Sequence, residues 1–149
     1  MAEAIVVGTD GSGTAQLAVD EAVRLAKALG GEIHLVSAFE PLRGAHVTGA
    51  PEGAAKVFAP LPDSKVESTL QQAESSVRFA GVDVHTHACQ QDPADALLDV
   101  AEQVDAKMIV VGSRGMHGAR RFVLGSVPNT VSHKAKCNVL IVSTDGDGA

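Results

Sequence analysis

Apolar runs with strand character alternate along the chain with segments in which apolar residues recur every three or four positions. This alternation is typical of βαβ units, which build parallel sheets. The predicted strands cover residues 4–9, 32–39, 82–89, 107–111 and 138–143, and the predicted helices begin at Ser12 or Thr14, at Asp63 or Ser64, near Pro93 and at Ser126. The sequence therefore predicts a single α/β domain over residues 1–149, with five strands and four helices.

The predicted strands differ in polarity. Residues 107–111 form an apolar run without polar alternation, as expected of a strand that is covered on both faces. Residues 82–89 alternate small or apolar residues with Asp83, His85 and His87, which predicts an edge strand with one wetter face.

Two histidines are candidate metal ligands. His85 and His87 share the wetter face of the third predicted strand, which allows metal binding in principle. Because the sequence shows no third ligand near them, we expect the pair to face solvent. We expect His34 and His133 to belong to no cluster.

Two segments lack periodicity. Residues 40–62 hold four prolines and three glycines, and a stretch of this length without helix or strand pattern is uncommon inside a compact domain. We therefore expect a flexible lid or interaction loop there, and a flexible tail over residues 144–149. No second domain is predicted.

Composition narrows the function classes. The formal net charge of −6 argues against non-specific binding to nucleic acid, and the absence of Trp and Tyr argues against sites that rely on ring stacking. No apolar stretch approaches the roughly 18 residues of a membrane span, and no signal peptide is evident. Cys89 and Cys137 fall in strand-like runs and are expected to be reduced core residues, so we expect a cytoplasmic location.

A glycine motif follows the fourth predicted strand. Gly112 and Gly115 are separated by two residues, and nine further residues lead to Gly125 and Ser126. Glycine lets backbone amides approach a ligand, and the predicted helix start, with Ser126 as N-cap and Pro128 in the first turn, favours an anion such as phosphate. The alternative is a glycine-rich loop without a ligand.

A second loop leaves the first strand at the same end of the predicted sheet, where open parallel sheets bind ligands. It contains Gly8, Thr9 and Asp10. The Asp10 carboxylate could bind ribose hydroxyls or a nucleotide-bound Mg²⁺, or it could form the turn or cap the helix. Thr9, Ser12 and Thr14 are expected to be caps rather than ligands.

Four segments together resemble the universal stress protein family, and the resemblance covers essentially the whole chain. They are Val7-Gly8-Thr9-Asp10, Val111-Gly112-Ser113-Arg114-Gly115, Leu124-Gly125-Ser126-Val127-Pro128 and Val139-Leu140-Ile141-Val142. The resemblance implies an adenine nucleotide alpha hydrolase-like fold with strand order 3-2-1-4-5. It also implies a homodimer through the last strand, Val139 to Val142, whose apolar edge would otherwise favour aggregation.

The resemblance also implies roles for the site residues. Gly8, Thr9 and Asp10 would line the ribose and adenine side, and the backbone of Ser37 would bond the adenine edge. Val111, Gly112 and Gly115 would contact the ribose and the first phosphates, while Gly125 and Ser126, with Val127 beside them, would hold the outer phosphates. The chain departs from the family pattern at Gln91, where many members have glycine; its side chain would narrow the adenine pocket or add a hydrogen bond to the base.

Arginines lie in and beside the nine-residue insert. Arg114 and Arg120 could reach a phosphate, whereas Arg121 and His117 are weaker candidates. The alternative is a solvated loop whose arginines pair with nearby acidic residues.

The favoured function is a universal stress protein that binds an adenine nucleotide and acts in stress response by sensing or signalling. ATP is the first candidate ligand, with Mg²⁺ as a companion, and AMP or cyclic AMP is the alternative. Slow ATP hydrolysis or autophosphorylation is disfavoured because no general base is evident. A ligand-free dimeric interaction protein is a third hypothesis, and a flavin carrier is disfavoured because aromatic rings are scarce.

Overall fold

The computed structural model describes residues 2–39, 64–113 and 124–144 of the 149-residue chain. Five strands and four helices lie within these residues and alternate along the chain. In chain order they are β1 (Ala4–Gly8), α1 (Gly13–Leu29), β2 (Glu32–Ala38), α2 (Ser64–Phe79), β3 (Val84–Cys89), α3 (Pro93–Gln103), β4 (Met108–Gly112), α4 (Ser126–Lys134) and β5 (Asn138–Val142). The predicted alternation is confirmed.

The strands form one parallel sheet in the order β3-β2-β1-β4-β5. This is the predicted order. β1 is the central strand, and its Val7 pairs with Leu35 of β2 on one side and with Val110 of β4 on the other. The predicted edge position of β3 is also confirmed.

Helices cover both faces of the sheet, which explains why the central strands are apolar throughout. Successive side chains of a strand point to opposite faces. Accordingly Ile5 and Val7 belong to the core cluster that includes α1 and α2, whereas Val6 belongs to the cluster that includes α3. All three are fully buried.

Helix ends follow the expected local chemistry. The Ser12 hydroxyl accepts a hydrogen bond from the Ala15 amide at 3.1 Å and caps α1, which resolves the predicted choice between Ser12 and Thr14. Gly30, with a φ of 68°, ends the same helix in the left-handed conformation that glycine adopts without strain.

The predicted alternation of β3 is wrong beyond Val84. The strand begins at Val84 rather than at residue 82, and Thr86 and Ala88 are the exposed residues of its second half. His87, predicted on the wetter face, is half-buried. Its ring contacts that of His34 on β2, and Cys89 on the same face of β3 packs against the core cluster of α3. The helices cover each face of this edge strand only in part, so burial along β3 does not follow a simple alternation.

β5 lies at the opposite edge of the sheet and pairs with β4. Its four apolar residues Val139, Leu140, Ile141 and Val142 are half-buried. None of the helices that the structure describes combines the length and the apolar character that crossing a membrane requires.

The cap of α3 gives a stability prediction. The Asp92 carboxylate accepts hydrogen bonds from the amides of Ala94 at 3.1 Å and Asp95 at 3.4 Å. Asp92→Ala removes these acceptors and should lower the free energy of unfolding by about 1 kcal/mol in urea titrations. Asp92→Asn is the matched control, since asparagine also caps helices well. Equal midpoints for Asp92→Ala and the wild type would contradict this role.

Candidate functional site

The strand order places a crevice between β1 and β4. From β1 the chain crosses to β2 on one side, whereas from β4 it crosses to β5 on the other. Adjacent connections therefore diverge at the carboxyl ends of these two strands, which is where open α/β sheets bind ligands. The two loops selected from the sequence both start there.

The first loop is held by its own short side chains. The Thr9 amide donates to the Val36 carbonyl at 2.9 Å, and the Thr9 hydroxyl accepts from the Gly11 amide at 3.3 Å. The Asp10 carboxylate accepts from the Ser12 amide at 2.9 Å. Asp10 thus stabilises the turn, which is one of the two roles predicted for it, and the residue remains exposed. Its role toward ribose or Mg²⁺ stays a prediction.

The hydroxyls in this loop are engaged by the protein. The Ser12 hydroxyl caps α1 and lies 2.9 Å from that of Thr14, and the Thr9 hydroxyl bonds the loop backbone. Of the three residues expected to be caps, Ser12 is the N-cap, whereas Thr14 lies inside α1 and Thr9 bonds the loop backbone. That they do not contact a ligand stays a prediction.

Gly8 and Ser37 lie side by side at the ends of neighbouring strands. The register pairs Gly8 with Val36, so Ser37 is one residue further along β2. Ser37 is buried, with 4% of its surface exposed. A Cβ on Gly8 would come within 3.3 Å of the Leu97 side chain, so glycine here allows α3 to pack closely over the end of β1.

Ser113 is a central residue of the second loop that the sequence reasoning did not single out. Its amide donates to the Val142 carbonyl at 2.8 Å, and its carbonyl accepts from the Gly125 amide at 3.0 Å. Its hydroxyl accepts from the Thr144 amide at 3.1 Å. These bonds bring the start of α4 directly beside the end of β4, although Gly112 and Gly125 are far apart in sequence. The position of Ser113 directly after Gly112, the last residue of β4, is the sequence signal that could have identified it.

The helix start that follows differs by one residue from the prediction. Ser126 is the first residue of α4 rather than its N-cap, and Gly125 is the N-cap. The reason is that the Gly125 carbonyl already accepts from the Asn129 amide while its own amide is held by Ser113. Pro128 lies in the first turn as predicted.

This start has no side-chain cap, unlike those of α1 and α3, which are capped by Ser12 and Asp92. The first amides of α4 therefore receive no hydrogen-bond acceptor from the capping residue. Together with the helix dipole, such amides favour an anion. Ser126 is exposed, whereas the Val127 side chain packs against the core cluster of α3, which leaves its backbone as the part available to a ligand.

Some predicted positions lie outside the described residues. These are Arg114 and Gly115 together with His117, Arg120 and Arg121, and also the predicted loop 40–62 and most of the predicted tail. Gln91 is described, and its side-chain amide donates to the Asp99 carboxylate at 2.6 Å. The side chain that replaces the family glycine is therefore tied to α3.

The cysteines occupy the core as expected. Both are free thiols and half-buried beside the α3 and α4 layer. Burial raises the pKa of the Cys89 thiol, and the Asp99 carboxylate raises it further. Burial likewise raises the pKa of Cys137. Neutral thiols of this kind are poor nucleophiles.

The prediction that His34 belongs to no cluster is wrong. The prediction that His85 and His87 face solvent is confirmed for His85 only. His85 is exposed, but His87 lies 3.0 Å from the buried ring of His34, whose other nitrogen donates to Glu32 at 2.9 Å. The His34 hydrogen bond lowers the pKa of Glu32, and burial lowers the pKa of His87. The cluster depends on the register of β2 against β3, which residue spacing along one strand does not reveal.

The topology defines a doubly wound α/β protein in which two glycine-containing loops leave neighbouring strands at the reversal of strand order. The model of the universal stress protein family matches residues 1–143, and the chain belongs to that family.

Relatives of known sequence and structure agree with this assignment. Universal stress protein Rv1636 of Mycobacterium tuberculosis strain H37Rv is 34% identical over 145 residues, which cover 94% of this chain and 95% of the relative. A universal stress protein solved in complex with cAMP is 30% identical, with a TM-score of 0.72 and coverage of 96% and 98% of the two chains. One from Archaeoglobus fulgidus, solved with dAMP, is 26% identical, with a TM-score of 0.66 and coverage of 94% and 97%.

The first loop yields a prediction at Gly11. Its φ is +83°, and an added Cβ would lie 2.9 Å from the Thr69 hydroxyl. Gly11→Ala should therefore lower the free energy of unfolding by about 1–2 kcal/mol. Gly13→Ala is the matched control, because no heavy atom lies within 4 Å of its added Cβ and alanine suits a helix. Equal urea midpoints for the two variants would contradict the strained geometry assigned to Gly11.

Proposed function

We propose that the protein binds an adenine nucleotide, with ATP as the first candidate, at the crevice between β1 and β4. The bound nucleotide would serve sensing or signalling in a stress response, in the cytoplasm. Family membership and the nucleotide complexes of two relatives support the ligand class.

The observation that carries the proposal is the uncapped start of α4 beside the end of β4. The Ser113 carbonyl accepts a hydrogen bond from the Gly125 amide, which places the helix start beside the strand end. The amides that follow point out of a helix terminus without a capping side chain. A phosphate group supplies the negative charge and the acceptor oxygens that such a terminus favours.

The proposed division of the site follows the two loops. Gly112, Gly125, Ser126 and the backbone of Val127 would hold the phosphates, with Arg114 and Gly115 contributing from the segment between them. Gly8, Thr9 and Asp10 would contact the nucleoside, and Val111 would contact the ribose. Ser37 would meet the adenine edge through its backbone, and Asp10 could hold a Mg²⁺ that the nucleotide brings.

Cyclic AMP is the second candidate ligand. The relative that was solved with cAMP matches this chain along nearly its whole length. A cyclic phosphate carries one negative charge and can occupy a helix terminus as a terminal phosphate does. ATP has three phosphates and cAMP has one, so ATP would contact more of the residues proposed to hold phosphates.

A nucleotide panel tests the proposal. Calorimetric titration with ATP, ADP, AMP and cAMP should show ATP binding that weakens at least about tenfold in Gly125→Val, a loss of about 1.4 kcal/mol. The Gly125 backbone, with a φ of −61°, accepts valine without strain, so the variant should fold. Gly13→Ala is the matched control.

The outcomes of the panel separate the candidates. Tight cAMP binding with weak ATP binding would replace ATP by cAMP as the ligand. Equal and weak responses to all four nucleotides, or unchanged ATP binding by Gly125→Val, would contradict the proposed site.

We also propose a homodimer that forms through β5. This strand has a strand neighbour on one side only within the described part of the chain, and its residues Val139–Val142 are half-buried apolar side chains. Pairing with a second copy would satisfy the exposed backbone edge and cover apolar surface.

Light scattering tests the dimer. The wild type should have twice the 15.2 kDa mass of one chain, whereas Ile141→Lys, which places a charge on the edge strand, should be monomeric with an unchanged circular dichroism spectrum. Leu29→Lys, a charge at an exposed apolar position on α1, should remain dimeric. A monomeric wild type, or a dimeric Ile141→Lys, would contradict this interface.

A further inference from the structure

A cluster of three imidazoles and one carboxylate lies on β2 and β3. The register pairs His34 with His85 across the two strands, and His87 is two residues further along β3. Glu32 precedes His34 by two residues, so the side chains of all four lie on the same face of the sheet.

His34 is the centre of the cluster. Only 6% of its surface is exposed, and both of its ring nitrogens are engaged. Its Nε2 donates to Glu32 Oε1 at 2.9 Å, and its Nδ1 lies 3.0 Å from His87 Nε2. The ring is therefore fixed in position and orientation by protein groups on both sides.

His85 completes an arrangement around the Glu32 carboxylate. Its ring stacks on that of His34 with centroids 4.8 Å apart and an angle of 19° between the planes. Its Nε2 lies 3.5 Å from Glu32 Oε2. One carboxylate thus faces two imidazole nitrogens, and a donor atom from each of the three residues lies within 4.8 Å of the other two.

We propose that Glu32, His34 and His85 bind a divalent transition metal ion, Zn²⁺ in the first place, through one carboxylate oxygen and two Nε2 atoms. Two histidines, one carboxylate and a water make a tetrahedral set that suits Zn²⁺. Neighbouring ligands of tetrahedral zinc are about 3.4 Å apart at its usual bond lengths. His34 Nε2 lies 2.9 Å from Glu32 Oε1 and His85 Nε2 lies 3.5 Å from Glu32 Oε2, and the donor atoms of the three residues lie within 4.8 Å of one another. Binding through a single carboxylate oxygen therefore requires the exposed His85 ring to move toward the other two ligands.

The protons can be accommodated when the ion binds. The His34 proton moves from Nε2 to Nδ1, and the His87 proton moves from Nε2 to Nδ1, so that His87 Nε2 then accepts a hydrogen bond from His34 Nδ1. Both rings stay neutral, and the Nε2 lone pair of His34 becomes free for the metal. A hydrogen bond to the far nitrogen of a ligating imidazole is the usual means of fixing its tautomer and ring orientation. His87 is therefore a positioning residue.

The site is also accessible to an ion. The His85 side chain is 56% exposed, so the third ligand can adjust. It also lines an open cleft of about 480 Å³ bounded by Arg78 and residues 81–84. Because the Glu32 side chain is also partly exposed, water can reach the fourth coordination position.

The metal site is separate from the nucleotide crevice. Glu32 pairs with Ala4 at the start of β1, whereas Gly8 lies at its other end, four residues or roughly 13 Å away. The ion would join the edge strand β3 to β2 and stabilise that edge. It would not contact the phosphates, so this inference stands independently of the proposed function.

Zinc titration of the chelator-treated full chain tests the proposal. The wild type should bind Zn²⁺ at the cluster, and both His85→Ala and Glu32→Gln should weaken this binding more than 100-fold. His87→Ala should weaken it about 10–100-fold, the usual effect of losing an outer-shell partner. His133→Ala, which removes an exposed histidine on α4, is the matched control and should bind as the wild type does.

Two further readouts keep the result interpretable if a variant folds poorly. Zinc in 100-fold excess over its dissociation constant should raise the wild-type Tm by several degrees and leave that of His85→Ala unchanged. Co²⁺ in place of zinc should give tetrahedral visible bands without a thiolate charge-transfer band. His85→Ala should bind ATP as the wild type does, which distinguishes failure here from failure of the nucleotide site.

Three results would overturn the proposal. One is a wild type that binds no Zn²⁺ at about 100 µM, a concentration at which even a site with a dissociation constant of that order would be half filled. Another is unchanged zinc binding by both His85→Ala and Glu32→Gln, which would place the ion elsewhere. The third is a thiolate band with Co²⁺, which would assign the ion to the cysteines.

Discussion

The rest of the structure depends on the pairing of β1 with β4 at the centre of the sheet. Both strands are buried on both faces, and Val6 and Val7 of β1 pair with Ile109 and Val110 of β4. Because the next connections run to opposite sides, the carboxyl ends of these strands are left without a crossing helix. The packing of these apolar side chains thus determines where the two strand ends lie side by side.

Short residues convert that crevice into a backbone-lined site. Gly8 allows α3 to approach the end of β1, and Ser113 ties the start of α4 to the end of β4 through hydrogen bonds. Side chains cap α1 and α3, whereas the cap of α4 is a glycine. A site that offers mainly backbone donors can bind phosphate without any charged side chain from the described residues.

The fold was largely predictable because its signals are local. Apolar periodicity located the four helices, and the apolar run of β4 and the glycine motif marked where the crevice lies. The start of α4 was misplaced by one residue because a tertiary contact, the Gly125 amide on the Ser113 carbonyl, decides which residue caps the helix. The His34 cluster was missed because it arises from the register between two strands, which no single segment encodes.

The central proposal is that the backbone amides of Ser126 and Val127, at the start of α4 and beside the carboxyl end of β4, bind the charged part of a nucleotide. The most direct measurement is an amide ¹H–¹⁵N NMR titration of the labelled protein with ATP. The largest shifts are expected at Ser126 and Val127, smaller shifts at the neighbouring amides of Ser113 and Gly125, and little change at the amino ends of the strands, for example at Ile33. Shifts that are absent at Ser126 and Val127, or equally large at both ends of the sheet, would contradict binding at this site.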